Sequence, residues 1–228
     1  MNVGWLGKEN VAPRVILTEG GSMTDIYVYN QLTKDNNGNI KVDQNGNLGI
    51  TSSNTPVKVG NLDADFNLGW INHFTYKGID LGVVLSARVG GLAYSATQGI
   101  LDYYGVSEVS ASVRDNGGTP INNGKVDAQK YYQTISTGEG GYGRYYLYSA
   151  TNVRLQELSL NYTLPRKWFK NVANVTLGVV GRNLWMIYCK APFDPELSAS
   201  TSSNYYMNVD YFMQPSLRNF GFNVKVQF

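Results

Sequence analysis

From Asn219 to Phe228 polar and apolar residues alternate without a break, with Phe220, Phe222, Val224, Val226 and Phe228 on one side and Asn219, Gly221, Asn223, Lys225 and Gln227 on the other. A period of two is the pattern of a β-strand whose two faces meet different surroundings. Ile79, Leu81, Val83, Leu85, Ala87 and Val89 repeat it against Asp80, Gly82, Ser86 and Arg88, and only Val84 interrupts the polar set. Just upstream, Phe66, Leu68, Trp70, Phe74 and Tyr76 share a face, while Asp65, Asn67, Gly69, His73 and Thr75 share most of the other. Lys77-Gly78 then predicts a two-residue hairpin turn. Leu158, Leu160, Tyr162 and Leu164 alternate with Glu157, Ser159, Asn161 and Thr163 until Pro165, which has no N–H for a ladder, ends the strand. Val153 and Leu155 fall on the opposite phase, so a bulge or a strand end is expected there. A last strand, Asn174 to Met186, places Val175, Leu177 and Val179 opposite Thr176, Gly178 and Arg182, and its pattern blurs after Gly181.

These are five strands, each long enough, at roughly ten residues, to cross a bilayer when tilted. Their connections alternate in length. Lys77-Gly78 and the Pro165–Ala173 link are short, whereas the links from about Leu92 to Ala150 and from Lys190 to Ser216 are long and polar. Membrane barrels have short turns on the periplasmic side and long loops outside, so the fold class expected is all-β: about five C-terminal antiparallel strands of a large transmembrane β-barrel. Residues 61–228 supply the strands and long extracellular loops. Residues 1–60 show no strand of spanning length; Glu19–Ser22, Ile26–Tyr29 and Asp35–Asn39 predict a small hairpin within an extracellular loop.

Composition agrees. Seventeen Tyr and 25 Gly with 16% charged residues favour strands and turns. A net charge of +2, with Lys and Arg scattered, gives no footprint for nucleic acid. Cys189 is the sole cysteine, so no internal disulfide forms. The first residues, MNVGWLGKENVAPRV, lack the basic and then apolar order of a signal peptide. No run approaches the roughly 18 apolar residues of a spanning helix, which leaves barrel strands unaffected.

The stretches VKVGNLDADFNLGWINHFTYKGIDL (Val57–Leu81), ARVGGLAYSATQGILDYYGVS (Ala87–Ser107), NVRLQELSLNYTLP (Asn152–Pro165), GRNLW with the downstream FDPELS, and QPSLRNFGFNVKVQF at the end resemble the SusC/RagA family of TonB-linked outer-membrane transporters. EGGSMTDIY and DNNGNI resemble the extracellular segment before those strands; Ala64 departs from the proline usual in the family. The resemblance implies a plugged barrel of about 22 strands in the outer membrane of a Gram-negative bacterium. It implies import of oligosaccharides or peptides driven by TonB, with a SusD-like surface lipoprotein as partner. Five strands cannot close where about eight are needed, so the natural product is expected to be longer or split, with TonB engaged through another part.

The candidate residues fall into two groups. Phe220, Phe222, Val224, Val226 and the terminal Phe228 form the signal that barrel assembly machinery reads on such proteins, or a plain amphipathic edge strand. Tyr103, Tyr104, Tyr131, Tyr132, Tyr142, Tyr205 and Tyr206 stand in the long connections, where tyrosine suits stacking on a sugar ring or a partner. Girdle or loop packing is the other reading for them, and Tyr145 to Tyr148, at a predicted strand end, fit a membrane-interface girdle.

No catalytic residue, cofactor or metal is expected. His73, the only histidine, lies on the polar phase near the periplasmic end, and one His gives no nucleophile–base arrangement. GEGGYGR (Gly138–Arg144) lacks the Lys-Ser/Thr ending of a phosphate cradle and reads as a flexible loop. DNNGNIKVDQNG lacks the closing Glu of a calcium loop. Asp194 and Glu196, bracketed by Pro192 and Pro195, read as rigid loop surface. The rival expectations are a secreted soluble β-sandwich binding carbohydrate through its Tyr-rich loops, which would bury the apolar face, and a simple diffusion porin.

Overall fold

The computed structural model describes residues 2–5, 13–136, 143–196 and 208–228. Tyr142, Tyr205 and Tyr206, and most of GEGGYGR, lie outside them. In chain order the first elements are β1 (Asn2–Trp5), β2 (Arg14–Ile16), β3 (Asp25–Leu32), β4 (Ile50–Asn61), β5 (Phe66–Tyr76), β6 (Ile79–Val89) and β7 (Leu92–Ser95). There follow α1 (Ala96–Tyr103), α2 (Glu108–Asp115), β8 (Thr119–Ile121), β9 (Gly124–Val126) and α3 (Ala128–Ile135). The last are β10 (Leu147–Ser149), β11 (Asn152–Thr163), β12 (Asn174–Cys189), β13 (Val209–Asp210) and β14 (Asn219–Gln227). They make two compact units: Met1–Asp63 with Gly91–Ser149 and Pro195–Met213, and Ala64–Gly90 with Ala150–Asp194 and Gln214–Phe228.

The second unit is the predicted wall. Its five strands form one antiparallel sheet in the order β5-β6-β11-β12-β14, so every strand pairs with its neighbours along the chain, as in an up-and-down barrel. Lys77 and Gly78 take φ of 48° and 86°, the left-handed pair of a type I′ turn, which matches the twist of the strands it joins. The expected bulge is at Gln156: Leu155 pairs with Leu85 and Glu157 with Val84, so one residue on β11 has no opposite number on β6. That extra residue puts Val153 and Leu155 on the same face as Leu158 and Leu160 despite their opposite phase in sequence.

β12 runs to Cys189, beyond the expected end at Met186. Its pattern blurs because the register with β11 slips between Arg182 and Trp185, around Asn183, which takes the left-handed φ of 53°. Asn tolerates that conformation, and its side-chain amide donates to the Ser216 carbonyl (3.1 Å) and hydroxyl (2.8 Å).

The first unit corrects the expectation of loops and one small hairpin. β1 to β4 form an antiparallel sheet in sequence order, and β4 spans 12 residues. β4 escapes a periodicity reading because its ITSSNTPVKVGN is mostly polar, and its pairing with β3 is broken twice by register shifts. The connection expected as a polar loop between Leu92 and Ala150 holds three helices, the β8–β9 hairpin and β7, which pairs with β10 and, in parallel, with β13. Each helix has a capping side chain: Ser95, Ser107 and Asp127 accept from the backbone N–H of Gln98, Ser110 and Lys130. One hydrophobic core joins these pieces, with Val15, Ile26, Tyr94, Ile121, Tyr132, Tyr146 and Val209 among its members.

Between β3 and β4 the chain makes two similar eight-residue excursions. Lys41 N–H donates to the Thr33 carbonyl, Gly49 N–H to Lys41 and Thr33 N–H to Gly49, closing a ring of three bonds of 2.8–2.9 Å. Asp35 and Asp43 each accept from backbone N–H groups two and four residues on, and from the Asn39 and Asn47 side chains. Those bonds, the Asn39 and Asn47 backbone N–H first, hold both carboxyls below the usual carboxylate range. The turns themselves thus account for the Asp/Asn spacing that loosely matches a calcium loop. The Asn122 amide bonds Ile40 N–H and C=O, and the Lys130 ammonium donates to the Asn45 carbonyl, tying the helical insert to these turns.

Candidate functional site

Two features stand out: the two-faced sheet and a tyrosine-lined cleft among the helices. On the sheet, cross-strand pairing keeps the apolar residues together: Trp70 with Leu85, Phe74 with Leu81, Leu160 with Val179, and Val179 with Phe222. Leu68 (59%) and Phe222 (73%) are far more exposed than core residues, and Phe66, Phe74 and Phe220 are at least half exposed. An apolar area of this extent on one face marks a surface made for an apolar neighbour. A soluble sandwich would bury it; here it is open.

The other face is polar and tightly spaced. Asp80, Asn161, Gly178 and Asn223 form one row across four strands, and Thr163 and Thr176, next along, share a hydroxyl bond of 3.0 Å. A Cβ on Gly178 would collide with Asn161 Oδ1 and lie 2.5 Å from Asn223 Nδ2, so glycine lets these amides lean over the strand between them. Gly82 does the same for Ser159 and His73. Glu157 and Arg182 pair at 2.8 Å, but both are too exposed for the pair to add much stability. Val84 faces Ile71 and Val180 pairs with Ser159, so the polar face carries apolar spots at both places. His73 Nδ1 is 3.8 Å from Asp80 in the open, an arrangement with no activated nucleophile.

Asp194 corrects the reading of a surface loop. Its carboxylate pairs with Arg154, at 2.8 Å to Nη2 and 3.4 Å to Nη1, and the two side chains are only 7% and 4% exposed. Arg154 Nε also donates to Asn152 Oδ1, and the Ser216 hydroxyl donates to Asp194. The pair fastens the turn after β12 to β11.

In the first unit the tyrosines divide. Tyr146, expected in a membrane girdle, is instead a core residue with β7 and α1, as is Tyr132, 7% exposed. Tyr131 is half-buried, its ring edge-on to Tyr132 with centroids 5.2 Å apart. Burial is the first cause that pushes Tyr131 and Tyr148 up to about 12 and Tyr146 further in the same direction, with Asp102 adding to each. These hydroxyls stay protonated donors throughout the neutral range.

Tyr103 and Tyr104 close α1 as an edge-on pair 5.1 Å apart, Tyr104 being 71% exposed. A cleft of about 400 Å³ opens beside them, with Asp102 and Ser110 inside and Tyr132, Gln129, Gln133 and Arg114 around it. Asp102 is buried and accepts from Gln98 Nε2 (2.9 Å) and the Ser107 hydroxyl (2.5 Å). The cleft thus brings together Tyr103, Tyr104 and Tyr132, a grouping visible only once the helices are packed.

No protein-family model matches the chain. It is similar to TonB-dependent receptor P3 of Formosa agariphila, at 27% identity over 201 residues, covering 85% of this chain and 19% of that protein. Among solved structures, the RagAB peptide importer in its open-open state aligns with a TM-score of 0.53 at 18% identity, over 89% of this chain and 22% of that one. A second structure, of the RagAB peptide transporter, aligns at 0.49 with 19% identity over the same shares. The chain therefore spans about a fifth of the length of the relatives it matches. They are named as receptor and importer, not as enzymes, and they bear out the resemblance to a TonB-linked SusC/RagA-type barrel read from the sequence.

Proposed function

We propose that this chain is a wall segment of a TonB-dependent outer-membrane importer of oligosaccharides or peptides. The observation that carries the reading is the sheet with one open apolar face and one polar face, its strands joined in sequence order. In hydrocarbon the apolar face is wetted by lipid while the polar rows line a lumen. The edge strands β5 and β14 require further strands, because an unpaired backbone edge in lipid costs several kcal/mol per group. The remainder of the barrel supplies them, together with the plug and the segment that engages TonB. Both long connections leave the sheet at the end opposite Lys77-Gly78; in this reading that end is extracellular, and a SusD-like surface lipoprotein is the partner on that side.

Phe220, Phe222, Val224, Val226 and Phe228 form the assembly signal; the first four pair with Gly181, Val179, Leu177 and Val175 on the apolar side, and Phe228 is almost fully exposed. One set of cells tests both statements. Cells carrying the full-length transporter take up a fluorescent oligosaccharide or peptide only with a working TonB, and removing Phe228 lowers the outer-membrane yield. Uptake indifferent to TonB sinks the transport reading; an unchanged yield sinks the signal.

A further inference from the structure

We infer that the cleft between α1, α2 and α3 is a binding site for one or two rings of a neutral saccharide. At about 400 Å³ it falls within the usual size of ligand pockets, roughly 300–1,000 Å³. Its chemistry is mixed in the way a polyol needs. A sugar ring offers a C–H face for an aromatic and a rim of hydroxyls that both donate and accept. Tyr104 presents an open ring at the mouth, braced edge-on by Tyr103. Gln129 and Gln133 stand one turn apart on α3, each amide a donor and an acceptor, and no hydrogen bond holds them among the described residues.

Asp102 supplies an acceptor already fixed in direction by Gln98 and Ser107, and Arg114 supplies donors from the last turn of α2. An anionic ligand is disfavoured: the buried Asp102 carboxylate faces it, and Arg114 Nε is already 3.5 Å from Asp115. An extended peptide is disfavoured too, because helices line the cleft and present no strand edge to pair with its backbone.

The site depends on the import reading only for a supply of glycan at the cell surface. Its test uses the full-length transporter in detergent, titrated with maltohexaose, cellohexaose, xylohexaose and laminarihexaose, and with a neutral hexapeptide. At least one hexasaccharide binds, and Tyr104→Ala and Gln133→Ala each weaken it by about tenfold or more with outer-membrane yield unchanged. Binding by none of the four, binding that both variants leave intact, or preference for the hexapeptide overturns the inference. TonB-dependent uptake is measured on the same variants. If uptake depends on TonB while the variants leave saccharide binding intact, the site falls and the import reading stands; the converse pattern removes import and keeps the site.

Discussion

Replacing Asp194 by alanine is expected to cost about 3–5 kcal/mol of folding stability, the usual penalty for removing one partner of a buried ion pair. Arg154 is 4% exposed, so its guanidinium stays out of water when the carboxylate facing it is removed. The penalty therefore comes from desolvated charge, more than from a lost attraction. The double change Arg154→Met with Asp194→Leu separates the two, since an apolar pair of similar volume should recover most of the loss. Urea unfolding of the full-length barrel in bilayers measures both. A single-variant cost under about 1 kcal/mol, the range of exposed pairs, would show that water reaches the guanidinium.

The second large effect concerns neighbouring residues of identical type at the same depth. Val83 and Val84 stand at the middle of β6 on opposite faces, Val83 paired with Leu158 and Asn72, Val84 with Ile71 and Glu157. Val83→Arg places a charge in lipid near the midplane and should cost about 2–4 kcal/mol. Val84→Arg places it on the lumen side beside Glu157, where the cost should be within about 0.5 kcal/mol of zero, as for a tolerated surface change. Bilayer unfolding of the two variants gives the comparison, and equal costs would remove the assignment of faces.

The wall was legible in the sequence because two different solvents select alternate residues. That selection fixes β5 and β6, places Lys77-Gly78 between them, and even reveals the bulge at Gln156 as a change of phase between Leu155 and Leu158. The first unit was not legible for the converse reason. Its helices are eight residues long and are covered unevenly by the rest of the unit, so no stripe of spanning length develops. The local signals were present in Ser95, Ser107 and Asp127 as helix caps, with Ser95 to Gln98 fitting the Ser-x-x-Gln pattern. Asp194 was misread because its prolines describe only its own turn, whereas its partner lies on a strand 40 residues earlier. The tyrosine doublets showed where aromatic side chains concentrate, but Tyr132 entering the core and Tyr104 staying at a cleft mouth depend on tertiary packing.

The central claim is that lipid wets the face bearing Val83 while water in a lumen meets the face bearing Val84. Nitroxide labels on single cysteines at positions 79–89 of the full-length barrel in vesicles, with Cys189 replaced, test it most directly. Collision with oxygen should dominate at the odd positions and collision with a water-soluble nickel chelate at the even ones. Odd positions shielded from both reagents would mean that protein, not lipid, covers that face.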